Sequence, residues 1–76
     1  MKVYILVYHG RFDAVNILGV FSKRSDADKA FEQDFIYTYS ECRHYRHELW
    51  IGPDATVIDF GDESIAWCIY EEEVRR

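Results

Sequence analysis

Val3-Tyr-Ile-Leu-Val-Tyr8 consists entirely of β-branched, aromatic and Leu residues, the composition of a β-strand. Alternation along a strand sends Val3, Ile5 and Val7 to one face and Tyr4, Leu6 and Tyr8 to the other. Both sets are apolar, which is the pattern of a strand covered on two sides. The rest of the chain must supply those two covers.

Immediately after this strand, His9-Gly-Arg-Phe-Asp-Ala14 carries the Gly and Asp of a chain reversal. Ile17-Leu-Gly-Val-Phe21 reads as a second strand, hairpin-paired with the first. Gly19 inside it marks a bulge or a close backbone approach under a helix. A helix is expected next. Ser22 or Ser25 can cap it, and Asp26 and Asp28 place negative charge in the first turn, where the helix dipole favours it. Ala27, Ala30, Phe31, Phe35, Tyr39, Cys42 and Tyr45 recur at three- and four-residue spacing. A helix from 24 to 48 would be roughly 37 Å long. A seven-residue strand covers only about 23 Å. A stop or kink is therefore expected at Thr38-Tyr-Ser40, the weakest helix formers in the stretch.

Farther on, Glu48-Leu-Trp-Ile51 and Thr56-Val-Ile-Asp-Phe60 flank Gly52-Pro-Asp-Ala55, whose Pro suits a type I reversal. A second hairpin follows from this, with a helix over 44–51 as the alternative. Ile65-Ala-Trp-Cys-Ile-Tyr70 is the last strand, and Glu71-Glu-Glu-Val-Arg-Arg76 reads as a polar tail. The order β-β-α-(β)-β-β predicts an α+β domain spanning 1–76, with an antiparallel or mixed sheet of four to five strands and one helix on one face. One helix covers one face, so a second cover is needed. Either Tyr4, Leu6, Tyr8 and Tyr70 form an aromatic patch for a partner or a second copy of the chain, or the Tyr- and Trp-rich segment 38–50 folds back over them.

Seventy-six residues allow a single core, burying roughly 60–65% of the unfolded surface. Hydrophobic residues make up 49% of the chain and charged residues 30%, which excludes a disordered class. Two Trp, six Tyr and five Phe are 17% of the chain. One small core does not easily hold that many rings, so some are expected at a surface used for binding. Only Cys42 and Cys68 are present, too few for a disulfide framework, and two reduced thiols in the cytoplasm are expected. The opening apolar run is too short for a signal-peptide core or a membrane span.

Charge is unevenly spread. Residues 47–74 hold Glu48, Asp54, Asp59, Asp62, Glu63, Glu71, Glu72 and Glu73 with no Lys or Arg, and the formal net charge is −5. Such a surface repels nucleic acid and attracts a basic protein surface, or it serves solubility alone. Glu71, Glu72 and Glu73 are the expected electrostatic docking residues. Cys42, His44 and His47 lie within six residues of sequence, but their spacing departs from the usual zinc pairings, and no metal or cofactor is expected. Arg43, Tyr45 and Arg46 are too few for a basic stripe in a chain of pI about 5.0. His9 with Asp13, or Cys42 with His44, could be drawn as a dyad, but neither sits in a nucleophile motif and no phosphate-binding loop occurs. An enzyme is not expected.

The run Val3 to His9, then Ile17-Leu-Gly-Val-Phe-Ser22, then a helix with Ala27 and Ala30, resembles a group of short uncharacterised domains of bacteria and their phages. The likeness covers residues 2–35. It implies a hairpin-plus-helix start and a small accessory protein, with no catalytic residue to carry over. Together these readings lead to a non-enzymatic protein that binds and modulates or inhibits a larger protein with a basic surface, and that pairs with itself. A phage-encoded inhibitor of a host nucleic-acid-handling defence system, similar to an anti-CRISPR, is the sharpest form. The alternatives are a metal- or ligand-binding regulatory domain and a weak RNA binder.

Overall fold

In the computed structural model, which describes residues 1–75 apart from the Asp13 side chain, one helix lies across a five-stranded sheet. Arg76, the last residue of the expected tail, is outside the described residues. The strands are β1 (Lys2–His9), β2 (Val15–Phe21), β3 (Glu48–Ile51), β4 (Ala55–Asp59) and β5 (Ser64–Glu73), and the helix is α1 (Arg24–Cys42). Their spatial order is β2-β1-β5-β4-β3, and every neighbouring pair is antiparallel. The α+β expectation holds, with the sheet wholly antiparallel rather than mixed.

Each element has a local cause. β1 and β2 form the expected hairpin around a short 3-10 turn, Arg11–Asp13, closed by Gly10 N–H donating to Ala14 O at 2.8 Å. Leu6 pairs with Gly19 but Val7 pairs with Ile17, so Leu18 is the extra residue of a bulge. The ring of Phe21 lies over Gly19, where a Cβ would sit 2.6 Å from it. Gly52 N–H donates to Ala55 O at 2.8 Å and closes the β3–β4 turn. Residues 48–51 are strand, not helix.

Three expectations need correction. Neither Ser22 nor Ser25 caps α1: Lys23 holds the N-cap position, with no side-chain cap, and Ser25 lies inside the first turn. The helix does not stop at Thr38–Ser40. It continues to Cys42, because Tyr39 stacks on Phe35 at 5.4 Å between ring centroids and also meets His47, so packing overrides the weak local propensity. At 19 residues it is about 28 Å long. Finally, Glu71–Glu73 are not a tail but the end of β5, paired with Lys2, Val3 and Tyr4.

The core lies between α1 and the sheet. β5 sends Ile65, Trp67 and Ile69 toward the helix, where they meet Leu6, Ile58, Ala27 and Cys42. Trp67 is the keystone, with Phe31 and Phe35 edge-on to its indole at 6.0 and 5.3 Å and Tyr8 at 5.4 Å. Burying each large side chain contributes on the order of 1.5–3 kcal/mol. The molecule is two layers thick, with extents of 46 × 22 × 18 Å. A single helix cannot wrap a sheet of five strands, and among the described residues no element lies over the other face of the sheet.

Candidate interaction surface

Strand pairing fixes which side chains share the uncovered face, since directly opposed residues on antiparallel strands point the same way. Ile5 opposes Tyr70 on one side and Val20 on the other; Val7 opposes Cys68 and Ile17; His9 opposes Ala66 and Val15. Ala66 and Cys68 in turn oppose Val57 and Ala55, and Val57 opposes Trp50. All of these stand on the side away from α1. Ile17 and Trp50 are each 67% exposed, Val15 and Val20 59%, and Tyr70 46%. Charge appears only toward the ends of the face, at Glu72 opposite Val3 and at Glu48 opposite Asp59. An apolar centre with an acidic rim is the anatomy of a protein-binding surface.

Tyr4, Leu6 and Tyr8, the strand face expected to meet a partner, are on the other side. Leu6 is fully buried, and Tyr4 and Tyr8 pack half-buried against the core under α1. A side chain with no accessible surface cannot touch a partner, so Leu6 is withdrawn, and Tyr4 and Tyr8 turn toward α1; on the opposite side of β1 Val3 and Ile5 are half-buried and Val7 is buried at 7% exposure. Tyr70 does stand on the open face. The three glutamates do not act together, because strand alternation splits them. Glu71 accepts from the Tyr4 hydroxyl at 3.3 Å and lies 3.6 Å from Lys2 Nζ, while Glu73 holds the Met1 ammonium at 3.1 Å. Only Glu72 lies on the open side. The shared face of Ile17 and Val20 was not legible in sequence because simple alternation puts them on opposite sides and only the bulge at Leu18 brings them together. Asn16 between Val15 and Ile17 was the available signal of a two-sided strand.

Other candidate chemistry does not assemble. Cys42 is buried in the core, and His47 uses both ring nitrogens: Nδ1 donates to Tyr45 O at 2.6 Å, and the Tyr39 hydroxyl donates to Nε2 at 3.0 Å. His44 packs on Tyr45 instead. Among the described residues no three His, Cys, Asp or Glu side chains gather as a metal site. The His9–Asp13 pair lies outside the described residues, since it needs the Asp13 side chain. Cys42 and Cys68 are both free thiols, and the sheet separates them.

Comparison with protein-family models, with curated proteins and with solved structures found no match.

Two further features bear on this surface. Phe12 has φ 59° and ψ 39°, a left-handed conformation that is uncommon outside Gly and Asn, and it is 91% exposed at the β1–β2 turn. At the other end of the molecule, Arg24 bolts the start of α1 to the β3–β4 turn. Its guanidinium donates to Asp28 at 3.1 Å, to Asp54 at 2.9 Å and to Pro53 O, and these partners raise its pKa, the Asp54 hydrogen bond most. The groove beside it, lined by Phe31, Trp67 and Ile69, is open to solvent and its one cation is fully engaged. Among the described residues no helix is long and apolar enough to cross a membrane.

Proposed function

We propose that this chain is a non-enzymatic protein-binding domain that modulates or inhibits a larger protein. The observation that carries this reading is the uncovered sheet face on which Val15, Ile17, Val20, Trp50 and Tyr70 stand exposed. Water-exposed aliphatic surface on this scale is a standing cost unless something covers it. The acidic rim and the net charge of −5 favour a partner surface rich in Lys and Arg and disfavour nucleic acid itself. Phe12, held exposed in a strained turn, supplies a second anchor of the kind found at binding sites. With the likeness of residues 2–35 to bacterial and phage accessory domains, the sharpest form is a phage-encoded inhibitor that occupies a basic groove of a host defence protein in the cytoplasm.

Capture from the native host tests this reading. The intact chain should retain a specific protein whose binding weakens as salt rises, and combined reversal of Glu48, Asp59 and Glu72 to Lys should abolish capture. Capture indifferent to both salt and charge reversal would remove the basic-partner reading.

A further inference from the structure

We infer that the open sheet face is occupied by a second copy of this chain, giving a two-fold dimer with the sheets packed face to face and the helices outermost. The inference rests on the reading of that face as protein-binding and names what covers it.

The exposed area of the chain exceeds what its mass predicts. The isolated chain exposes 5774 Å². A monomeric protein of 9.1 kDa is expected to expose about 4,900 Å². The surplus of about 900 Å² is close to the ~800 Å² that each partner contributes to a standard interface, and two copies would bury about 1,800 Å². One copy therefore removes the surplus of the other.

A chain with a net charge of −5 repels its own copy everywhere except where it is neutral. The centre of this face holds Ile5, Val7, Ile17, Val20, Cys68 and Tyr70 and no charged side chain. Glu48, Asp59 and Glu72 stand toward its ends, where water still reaches them in a stacked pair.

The face is a pleated sheet surface whose centre carries the β-branched Ile5, Val7, Ile17 and Val20, and a surface that interdigitates with such a face is another sheet, at about 10 Å separation. A cover is also needed wherever the chain is present. A second copy is available at equal amount from synthesis onward, which a larger partner is not.

Sedimentation velocity on the intact chain, from low- to high-micromolar concentration, tests the proposal. The expected species has twice the 9.1 kDa chain mass. Ile17→Asp should shift it to monomer while leaving the circular-dichroism spectrum unchanged, because Ile17 is 67% exposed on an edge strand of the isolated chain. Two-fold symmetry places an unpaired carboxylate from each copy in the interface, so dimerisation should weaken on the order of a hundredfold or more. Ile36→Asp, equally exposed at 67% but on the helix, should leave the dimer intact. Cys68 supplies a reading free of substitution: its thiol should react slowly where the dimer dominates and faster on dilution. Monomer at every concentration would overturn the inference, as would a dimer that survives Ile17→Asp, or open-ended association through the free edge of β2. In such a dimer the sheet face is no longer free for a larger partner, so the larger-partner reading would rest on the acidic rim and Phe12 and is tested by host capture and its response to charge reversal.

Discussion

The indole N–H of Trp67 donates to Oδ2 of Asp34 at 2.7 Å, tying the middle of α1 to the middle of β5. It is the polar contact inside the aromatic layer formed by Tyr8, Phe31 and Phe35. Asp34→Ala removes a charged acceptor and leaves the buried donor unpaired, so stability should fall by about 1.5–3 kcal/mol. Asp34→Asn keeps a neutral acceptor and should lose roughly half as much. Urea titration reads both, and equal losses would show that the contact contributes no charge-assisted term.

Gly19 is required by the ring of Phe21 rather than by its own backbone angles. Gly19→Ala drives a Cβ to within 2.6 Å of that ring and should cost about 1–3 kcal/mol through overpacking. Replacing Phe21 with Leu should remove most of the penalty of Gly19→Ala. Additive losses in the double variant would place the strain elsewhere.

Arg24 joins α1 to the β3–β4 turn through partly exposed ion pairs. Arg24→Ala should therefore cost only about 1 kcal/mol, with the Arg24–Asp54 coupling in a double-mutant cycle between about 0.2 and 1 kcal/mol. Raising salt should shrink the coupling. A coupling that salt does not change would argue against an electrostatic origin.

Burial beneath α1, reinforced by the Asp34 carboxylate, raises the pKa of Tyr8 above its ordinary value. The folded state thus holds this proton more tightly than the unfolded state. Stability from this source is fully present below about pH 10, the ordinary tyrosine value, and is lost as pH rises through the higher folded pKa. Tyr8→Phe should flatten the fall of melting temperature in that alkaline range. An unchanged alkaline slope would refute the assignment.

Phe12 carries a left-handed backbone and packs against almost nothing. Phe12→Asn should leave stability unchanged or raise it by up to about 1 kcal/mol, since Asn tolerates this conformation. If the ring anchors a partner, the same variant should reduce host capture. Full capture by a stable Phe12→Asn chain would remove the ring from the binding surface.

Local patterns made much of this molecule legible. Val3–Tyr8, Ile65–Tyr70 and the Gly52–Ala55 reversal stated their own conformations, and Gly19 announced its bulge. What local pattern misjudged was extent: Tyr39 and Cys42 carried the helix past weak formers, and Lys2–Tyr4 gave Glu71–Glu73 a strand to pair with. The helix end depends on Tyr39 and Cys42 packing into the core and the strand end on partners roughly 70 residues distant, and neither is visible in local propensity.

By itself the sequence determined a chain with two hairpins, one helix and a first strand apolar on both sides, and hence one cover too few. Only the tertiary structure decided which side went bare. β2 and β3 run parallel at opposite edges, so α1 is a crossover between them, and the hand of such a crossover, together with the register of β1, selects the face it covers. Alternation reports that Tyr4, Leu6 and Tyr8 share a side. It carries no sign, and the helix took that side, leaving Ile5, Ile17 and Tyr70 to the solvent or to a partner.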